Sequence, residues 1–329
     1  MQTFHQLRES FLTTQEELNE KLIVLSNGKR YGQIVFLAGG AGSGKGFAST
    51  NFMQSELFKI RDVDEWKKTF MKIADIQDDP EKYAKRVAAG SKIDPAKYKE
   101  IKGLDLKKPA DVFKLHMFID GLNIKDNTMR GLLSTMKNPE TLPNIMFDIT
   151  AKDVKSIAKM MPDLLTAGYN PANIHMVWIL TNYEIAVKQN AERERVVPSD
   201  IMLNTHEGAA STMFNLIAQK GKKLAINGAI HVVLNNPVNT IIWGEGDVSK
   251  TGQKVTAKGL ENRPLNKKGE KVGMIKDFKY LTVKERGKPM HKDDDIMIQL
   301  HRWILDNIPE SDLKAGLNKM KDDDSYTYQ

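Results

Sequence analysis

Apolar positions along the chain repeat with two different periods. From residue 3 to about 26, Phe4, Leu7, Phe11, Leu18 and Leu22 recur at helical spacing. That pattern predicts an N-terminal amphipathic helix, closed by the turn chemistry of Asn27-Gly28. Residues 33–38 form a short apolar run, the pattern of a strand buried on both faces of a parallel sheet. A glycine cluster follows at once, and then a helical stretch over 47–55. Strand, glycine loop and helix in that order open a nucleotide-binding α/β unit. Residues 57–60 predict the next strand, running into Arg61-Asp62-Val63-Asp64.

From about 65 to 143 the pattern changes. This stretch is lysine-rich and helical in character, is broken at Pro80, Gly90, Pro95 and Pro109, and holds no long strand pattern. It reads as a helical insertion or lid. Strands at 144–149, 175–180 and 230–234 then alternate with helices at 153–167, 183–192 and 198–220. Such alternation predicts an α/β fold of the P-loop NTPase type, with a doubly wound parallel sheet. Beyond it come a turn at Asn235-Asn236-Pro237, a short strand at 240–243 and an exposed loop at 250–271 rich in glycine, lysine and asparagine. A terminal helix at 293–308 and a polar tail from 321 complete the chain. The expected organisation is an N-terminal helix over 1–32, a core over 33–235 and a C-terminal extension over 236–329. The core carries the insertion at about 65–143 and a lid at about 183–198.

Composition removes several chemistries. None of the 329 residues is cysteine, so disulfides, thiolate metal sites and cysteine nucleophiles are excluded. No apolar run approaches the roughly 18 residues that span a bilayer, and residues 1–14 lack the hydrophobic block of a signal peptide. A cytoplasmic setting without membrane partners is the expectation. The net charge of +7 favours an anionic ligand without naming one.

The glycine cluster carries the sharpest chemistry. Gly39, Gly40, Ala41, Gly42, Ser43, Gly44 and Lys45 satisfy the spacing G-x-x-x-x-G-K. Glycines let consecutive backbone N–H groups turn inward around phosphate oxygens, and the next helix aims its positive end at the same phosphates. Lys45 supplies a mobile cation for the β and γ oxygens of ATP, and Gly46 and Phe47 complete the nucleotide-binding stretch. A plain glycine turn with a surface lysine is the alternative, and the flanking strand and helix argue against it. One position departs from the pattern. Where Ser or Thr would offer magnesium a hydroxyl, the chain has Gly46, so Mg2+ must be held by phosphate, water and carboxylates from elsewhere.

Phosphoryl transfer to a hydroxyl needs a base, a carboxylate near the metal and cations over the transferred group. Asp62 and Asp64 stand at the carboxyl end of the second strand, and they share a face if the strand continues through both. Asp64 is the candidate base and a candidate metal ligand, and Asp62 a candidate acceptor contact. A solvated acidic turn is the other reading. Ile145-Met146-Phe147-Asp148 resembles a Walker B strand, which makes Asp148 a metal or substrate ligand with Thr150 beside it on the acceptor side. Asp148 reads equally as the cap of the following helix. Arg193 and Arg195 flank Glu194 and suit phosphate because a guanidinium donates in pairs; an exposed charged helix end is the plainer reading. His206 and Glu207 read as structural.

Taken in order, these motifs resemble the zeta-toxin-like P-loop kinases and their bacteriophage relatives. The likeness rests on 39–45, on Ile60-Arg61-Asp62-Val63-Asp64-Glu65-Trp66-Lys67, on 144–150, on Ala167-Gly168-Tyr169, on Thr181-Asn182, and on Arg193-Glu194-Arg195-Val196-Val197-Pro198. It covers roughly 33–235, with 65–143 outside it. The resemblance implies Asp64 as general base, Lys45 as phosphate clamp, and Arg193 and Arg195 as lid cations. Asp148 stands where the family has a substrate-side glutamate, and its shorter reach, like Gly46, points away from the toxins' UDP-N-acetylglucosamine. Phage members include kinases of hydroxymethyluracil in DNA. The expected activity is therefore transfer from ATP to a hydroxyl, with a nucleotide or DNA acceptor first and a sugar nucleotide second. In a phage protein the setting would be the host cytoplasm. A nucleotide-binding interaction protein without turnover is the competing class.

Overall fold

The computed structural model describes residues 23, 25, 31–53, 55–61, 63–76, 79–88, 95–122, 131, 141–193, 195–218, 224–249, 252–263, 265, 275–291 and 294–322. Five parallel strands form the centre: β1 (Ile34–Ala38), β2 (Lys59–Arg61), β3 (Ile145–Asp148), β4 (Ile174–Leu180) and β5 (Ile230–Leu234). Successive strand residues face opposite sides, and both sides of β1 are covered. Ile34, Phe36 and Ala38 join one core with Trp178 and Val232, closed by Ile157, Met213 and Ile304 from three helices. Val35 and Leu37 join a second core with Val177, Val233, Ala48, Phe52 and Phe278. The doubly wound arrangement is as expected.

The chain between the strands is helical. α1 is Lys45–Asn51, and the insertion holds α2 (Val63–Asp75), α3 (Pro80–Ala88), a 3-10 segment at Pro95–Ile101, and α4 (Pro109–Gly121). The insertion has a small core of its own, in which Phe70, Ile73, Ile101, Leu115 and Ile119 are buried together. α5 (Val154–Thr166), α6 (Tyr183–Glu192) and α7 (Ser199–Ile217) complete the central unit. Among the described residues, no helix is long and apolar enough to cross a membrane.

The C-terminal extension departs most from expectation, because it completes the sheet instead of merely following it. After β6 (Thr240–Ile242) and the short α8 (Ala257–Glu261), β7 (Ile275–Lys284) runs antiparallel to β5. The strand order is β2-β3-β1-β4-β5-β7-β6, so the sheet is mixed at one edge. The carboxyl end of β5, Leu234, pairs with Lys279, so 275–278 reach past it and pair with β6. Phe278 there stacks on Phe52, just beyond α1, with ring centroids 4.2 Å apart. α9 (Asp294–Asn307) packs on the first core, and α10 (Asp312–Asp322) runs into the first two residues of the expected tail. The loop expected at 250–271 contains, in its described part, a bridge between Val248 and Lys254 as well as α8.

Three further boundaries move. Residues 1–22 of the expected N-terminal helix lie outside the described residues. Ile23, near its expected end, is extended: it bridges Met53 and donates its N–H to Phe52 O at 2.9 Å. The helix expected at 47–55 begins at Lys45 and ends at Asn51. β2 stops at Arg61 and α2 starts at Val63, so Asp62 and Asp64 do not share the face of a continuing strand. Asp64 instead lies in the first turn of a helix.

Candidate active site

The loop between β1 and α1 lies at the carboxyl end of the parallel strands, where open α/β sheets take their ligands. Its shape follows from where its carbonyls are tied. The Ser43 carbonyl accepts from Asn235 Nδ2 at 2.9 Å, and Thr181 Oγ1 lies 2.8 Å from the same oxygen. A trans peptide points its C=O and N–H in opposite directions, so Gly44 N–H faces away from these anchors, towards the concave side. The Ala41 carbonyl contacts His206 Nε2 at 2.8 Å, which directs Gly42 N–H the same way. Lys45 Nζ lies inside, donating to Gly39 O at 2.9 Å and Gly40 O at 3.2 Å. Across from it, 3.7 Å away, stands the Asp148 carboxylate at the end of β3.

Two glycines are dictated by this arrangement. Gly44 caps α1 with φ 78°, a left-handed conformation that L side chains avoid, and a Cβ there would meet Asn235 Nδ2 at 2.3 Å. At Gly40 a Cβ would fall 2.3 Å from the His206 ring. Gly46 is different: a Cβ would meet nothing within 4 Å. Phe47 beside it is exposed and sets its ring edge-on to Phe52 at 5.6 Å.

The remaining expected residues divide. Asp148 does not cap α5; Asp153 does, accepting from Ser156 N at 3.0 Å. Asp148 is left facing Lys45. Thr150 is half-buried just beyond β3, before a sharp turn in which Ala151 takes φ 51°. Arg193 is the C-cap of α6 and Arg195 is half-buried two residues later, and Val197 of the same turn belongs to a small buried cluster against which loop residue Ala41 packs. Their turn is fastened on two sides. Asn190 donates to Val197 O at 2.8 Å and accepts from Val197 N at 2.9 Å. From the insertion, Lys107 Nζ donates to Arg193 O at 2.7 Å, and Leu106 O accepts from Val196 N at 2.9 Å. Asp62, Glu194 and the side chain of Asp64 lie outside the described residues, as do Lys267 and Lys268 of the basic loop.

Thr181, Asn235, Thr205 and His206 surround the loop; Thr181-Asn182 is among the motifs of the family resemblance, but no local pattern marks Asn235, Thr205 and His206 as its neighbours. His206 was expected to be structural, and it is buried, but against the loop itself. Burial, with the Lys45 charge adding, holds its pKa below the ordinary histidine value despite the bond to Ala41 O. It is therefore neutral near pH 7. Since a carbonyl only accepts, Nε2 carries the hydrogen.

Magnesium fits this site in one way. Among the described residues no group of three or more His, Asp or Glu could cage a metal ion. Mg2+ keeps several waters and needs only one or two carboxylates beside substrate phosphates. Asp148 provides one at the loop's mouth. Ser43 Oγ, buried and without a hydrogen-bond partner, is the loop's spare hydroxyl.

Sheet, loop and following helix together define an α/β fold of the P-loop type. No protein-family model matches the chain, and no curated protein matches it. Solved structures that resemble it include the native AvrRxo1-ORF1:-ORF2 complex, at 14% identity over 97% of this chain and 81% of that one, with a TM-score of 0.36. The same complex with ATP gives 13% identity, 97% and 82% coverage, and 0.33. A structure from the PezAT chromosomal toxin-antitoxin system of Streptococcus pneumoniae gives 15%, 71% and 78%, and 0.32. These likenesses are distant, and no residue role is carried over from them.

Proposed function

We propose that the protein is an ATP-dependent kinase that transfers the γ-phosphoryl group to a hydroxyl, in the manner of the zeta-toxin-like P-loop kinases. The observation that carries this reading is the loop itself: the Ala41 and Ser43 carbonyls are tied to His206 and Asn235, which by trans-peptide geometry turns the N–H groups of Gly42 and Gly44 the other way, and Lys45 stands 3.7 Å from Asp148. Phosphates of ATP replace the Gly39 and Gly40 carbonyls as partners of the Lys45 ammonium. Asp148 would hold Mg2+ together with phosphate and water, and the metal would supply neutralisation of the phosphate charge. Asp64, in the first turn of α2, takes the acceptor's hydroxyl proton as the oxygen attacks the γ-phosphorus and ADP leaves. Arg193 and Arg195 close over the transferred group. A nucleotide or a base hydroxyl in DNA is the preferred acceptor class, in view of the lysine-rich insertion and C-terminal loop, with sugar nucleotides next.

The test is ADP release with ATP and magnesium against duplex DNA, nucleosides, nucleotides and sugar nucleotides. Turnover with at least one acceptor is expected. Lys45→Ala should reduce it by about 10²–10³, the scale of one preorganised electrostatic contact. Asp64→Asn should lower kcat by roughly 10²–10⁴ with ATP affinity kept, because the amide cannot take a proton. ATP binding with no turnover on any acceptor would favour the binding-module reading, for which exposed Phe47 and Gly46 speak. Absence of ATP binding would overturn both.

A further inference from the structure

We infer that Thr205 and His206 on α7 are positioning residues for the nucleotide: they hold the peptide groups on either side of Ala41 in the orientation that aims Gly42 N–H at phosphate. This rests on the ATP-binding reading of the loop. Ala41 is 164 and 165 residues from these partners in the chain, yet both of its backbone groups are taken by consecutive residues of one helix. Its N–H donates to Thr205 Oγ1 at 3.1 Å, and its carbonyl accepts from His206 Nε2. Thr205 Oγ1 spends its own hydrogen on Met202 O at 3.0 Å, which leaves the oxygen free to accept.

The two bonds act on different peptides. Thr205 fixes the 40–41 peptide with its N–H outward and Gly40 O inward, where that oxygen meets Lys45. His206 fixes the 41–42 peptide the opposite way, carbonyl outward and Gly42 N–H inward. The 40–41 peptide is also held from Ser43, whose N–H donates to Gly40 O at 3.2 Å. The 41–42 peptide is therefore the one that can flip most readily without its anchor, because glycine accepts either sign of φ at little cost. A flipped 41–42 peptide would present a carbonyl oxygen to the phosphates. The His206 ring is itself fixed, in a T-shaped contact with Tyr183 at 5.3 Å and close enough to Gly40 to leave no room for a Cβ there. Next to it, Met202 Cε and Ala186 O would lie 3.4 Å and 3.0 Å from a Cβ on Gly42. α6 and α7 therefore serve as the template on which the loop tip is shaped, and the arginine turn is the link between those two helices.

A buried histidine with only a packing role would change stability and nothing else, so the test reads ATP affinity in folded protein. Titration calorimetry with ATP and magnesium, without acceptor, should show His206→Phe about tenfold weaker than wild type, the scale of one buried hydrogen bond. Phenylalanine keeps the ring and loses the donor. His206→Gln, which restores an N–H near the Nε2 position, should recover most of the affinity. In turnover His206→Phe should raise KM for ATP with kcat little changed, and His206→Gln should bring KM back towards wild type. If His206→Phe fails to fold, the pair Thr205→Val and Thr205→Ser makes the same comparison, with the valine variant weak and the serine variant near wild type. Equal ATP affinity in wild type and folded His206→Phe, or in both Thr205 variants, overturns the inference and leaves the loop's role standing. A wild type that does not bind ATP overturns the reading of the loop, and the inference falls with it.

Discussion

Gly46 shows how a single position can be both a departure and an opening. It lies in the first turn of α1, and a side chain there meets nothing within 4 Å. Serine should therefore be accommodated and should raise helix stability by a few tenths of a kcal/mol, since glycine is the poorer helix former. If Asp148 and water now carry Mg2+, a hydroxyl at this position adds a ligand. Gly46→Ser should then lower the magnesium concentration at half-maximal turnover. An unchanged titration in the folded variant would mean that the position does not face the metal. Gly40 and Gly44 behave oppositely, because the His206 ring and the Asn235 amide already occupy the space a Cβ would need. Why these glycines are required was not legible in the sequence. The motif identifies the loop, but it is silent on partners that lie 165 and 192 residues away.

At the scale of elements, the arginine turn between α6 and α7 depends on Asn190. Its buried amide satisfies both backbone groups of Val197, and Asn190→Ala would orphan them at a cost of about 1–3 kcal/mol. Thermal unfolding should register that loss. If Arg193 and Arg195 close over the transferred group, kcat should fall as well while ATP affinity is largely kept; a change in stability alone would remove them from the reaction. Periodicity had located α6 to the residue and placed β4, β5 and α7 within a few residues, because long buried runs leave strong patterns. It missed β7. That strand mixes Lys276, Asp277 and Lys279 among its apolar residues, and its burial does not alternate cleanly, so no two-residue period stands out. The condition on the acidic pair was not met for another reason: where β2 ended depended on tertiary pairing with β3, which stops at Arg61.

For the whole molecule, two buried histidines at the sheet set a limit in acid. His175 lies between Gln33 Oε1 and the Ala229 N–H, and burial, with the nearby charges of Arg286, His231 and Lys284, lowers its pKa to about 3. Burial alone lowers that of His231, beside Thr282, to about 4. Both are neutral in the folded protein. Below pH 6.5 the unfolded chain takes up protons that the folded chain refuses, so stability falls with pH from about 6.5 until the folded values are reached. Each site contributes up to about 1.4 kcal/mol per pH unit in that window. Urea unfolding between pH 7 and 4.5 should show the decline, and His231→Gln should make it shallower. A flat profile would mean that both imidazoles are solvated in the folded protein.

The late position of β7 and α9 in the chain bears on synthesis. During translation the phosphate-loop segment emerges first, but the stacking of Phe278 on Phe52 and the bonds from Asn182 to Asp306 and from Asn236 to Asn307 wait for the last part of the polypeptide. Contacts of such long sequence separation form slowly, and a ribosome adds about 5–20 residues per second. A nascent chain stalled near residue 240 carries the whole G-x-x-x-x-G-K sequence without the strand and helix that back it. Such an intermediate should bind ATP weakly and expose the unpaired edge of β5 to other chains. Chains released at 240 and at 329, compared for ATP retention and protease resistance, would show whether the phosphate loop stays incompetent until β7 and α9 are present.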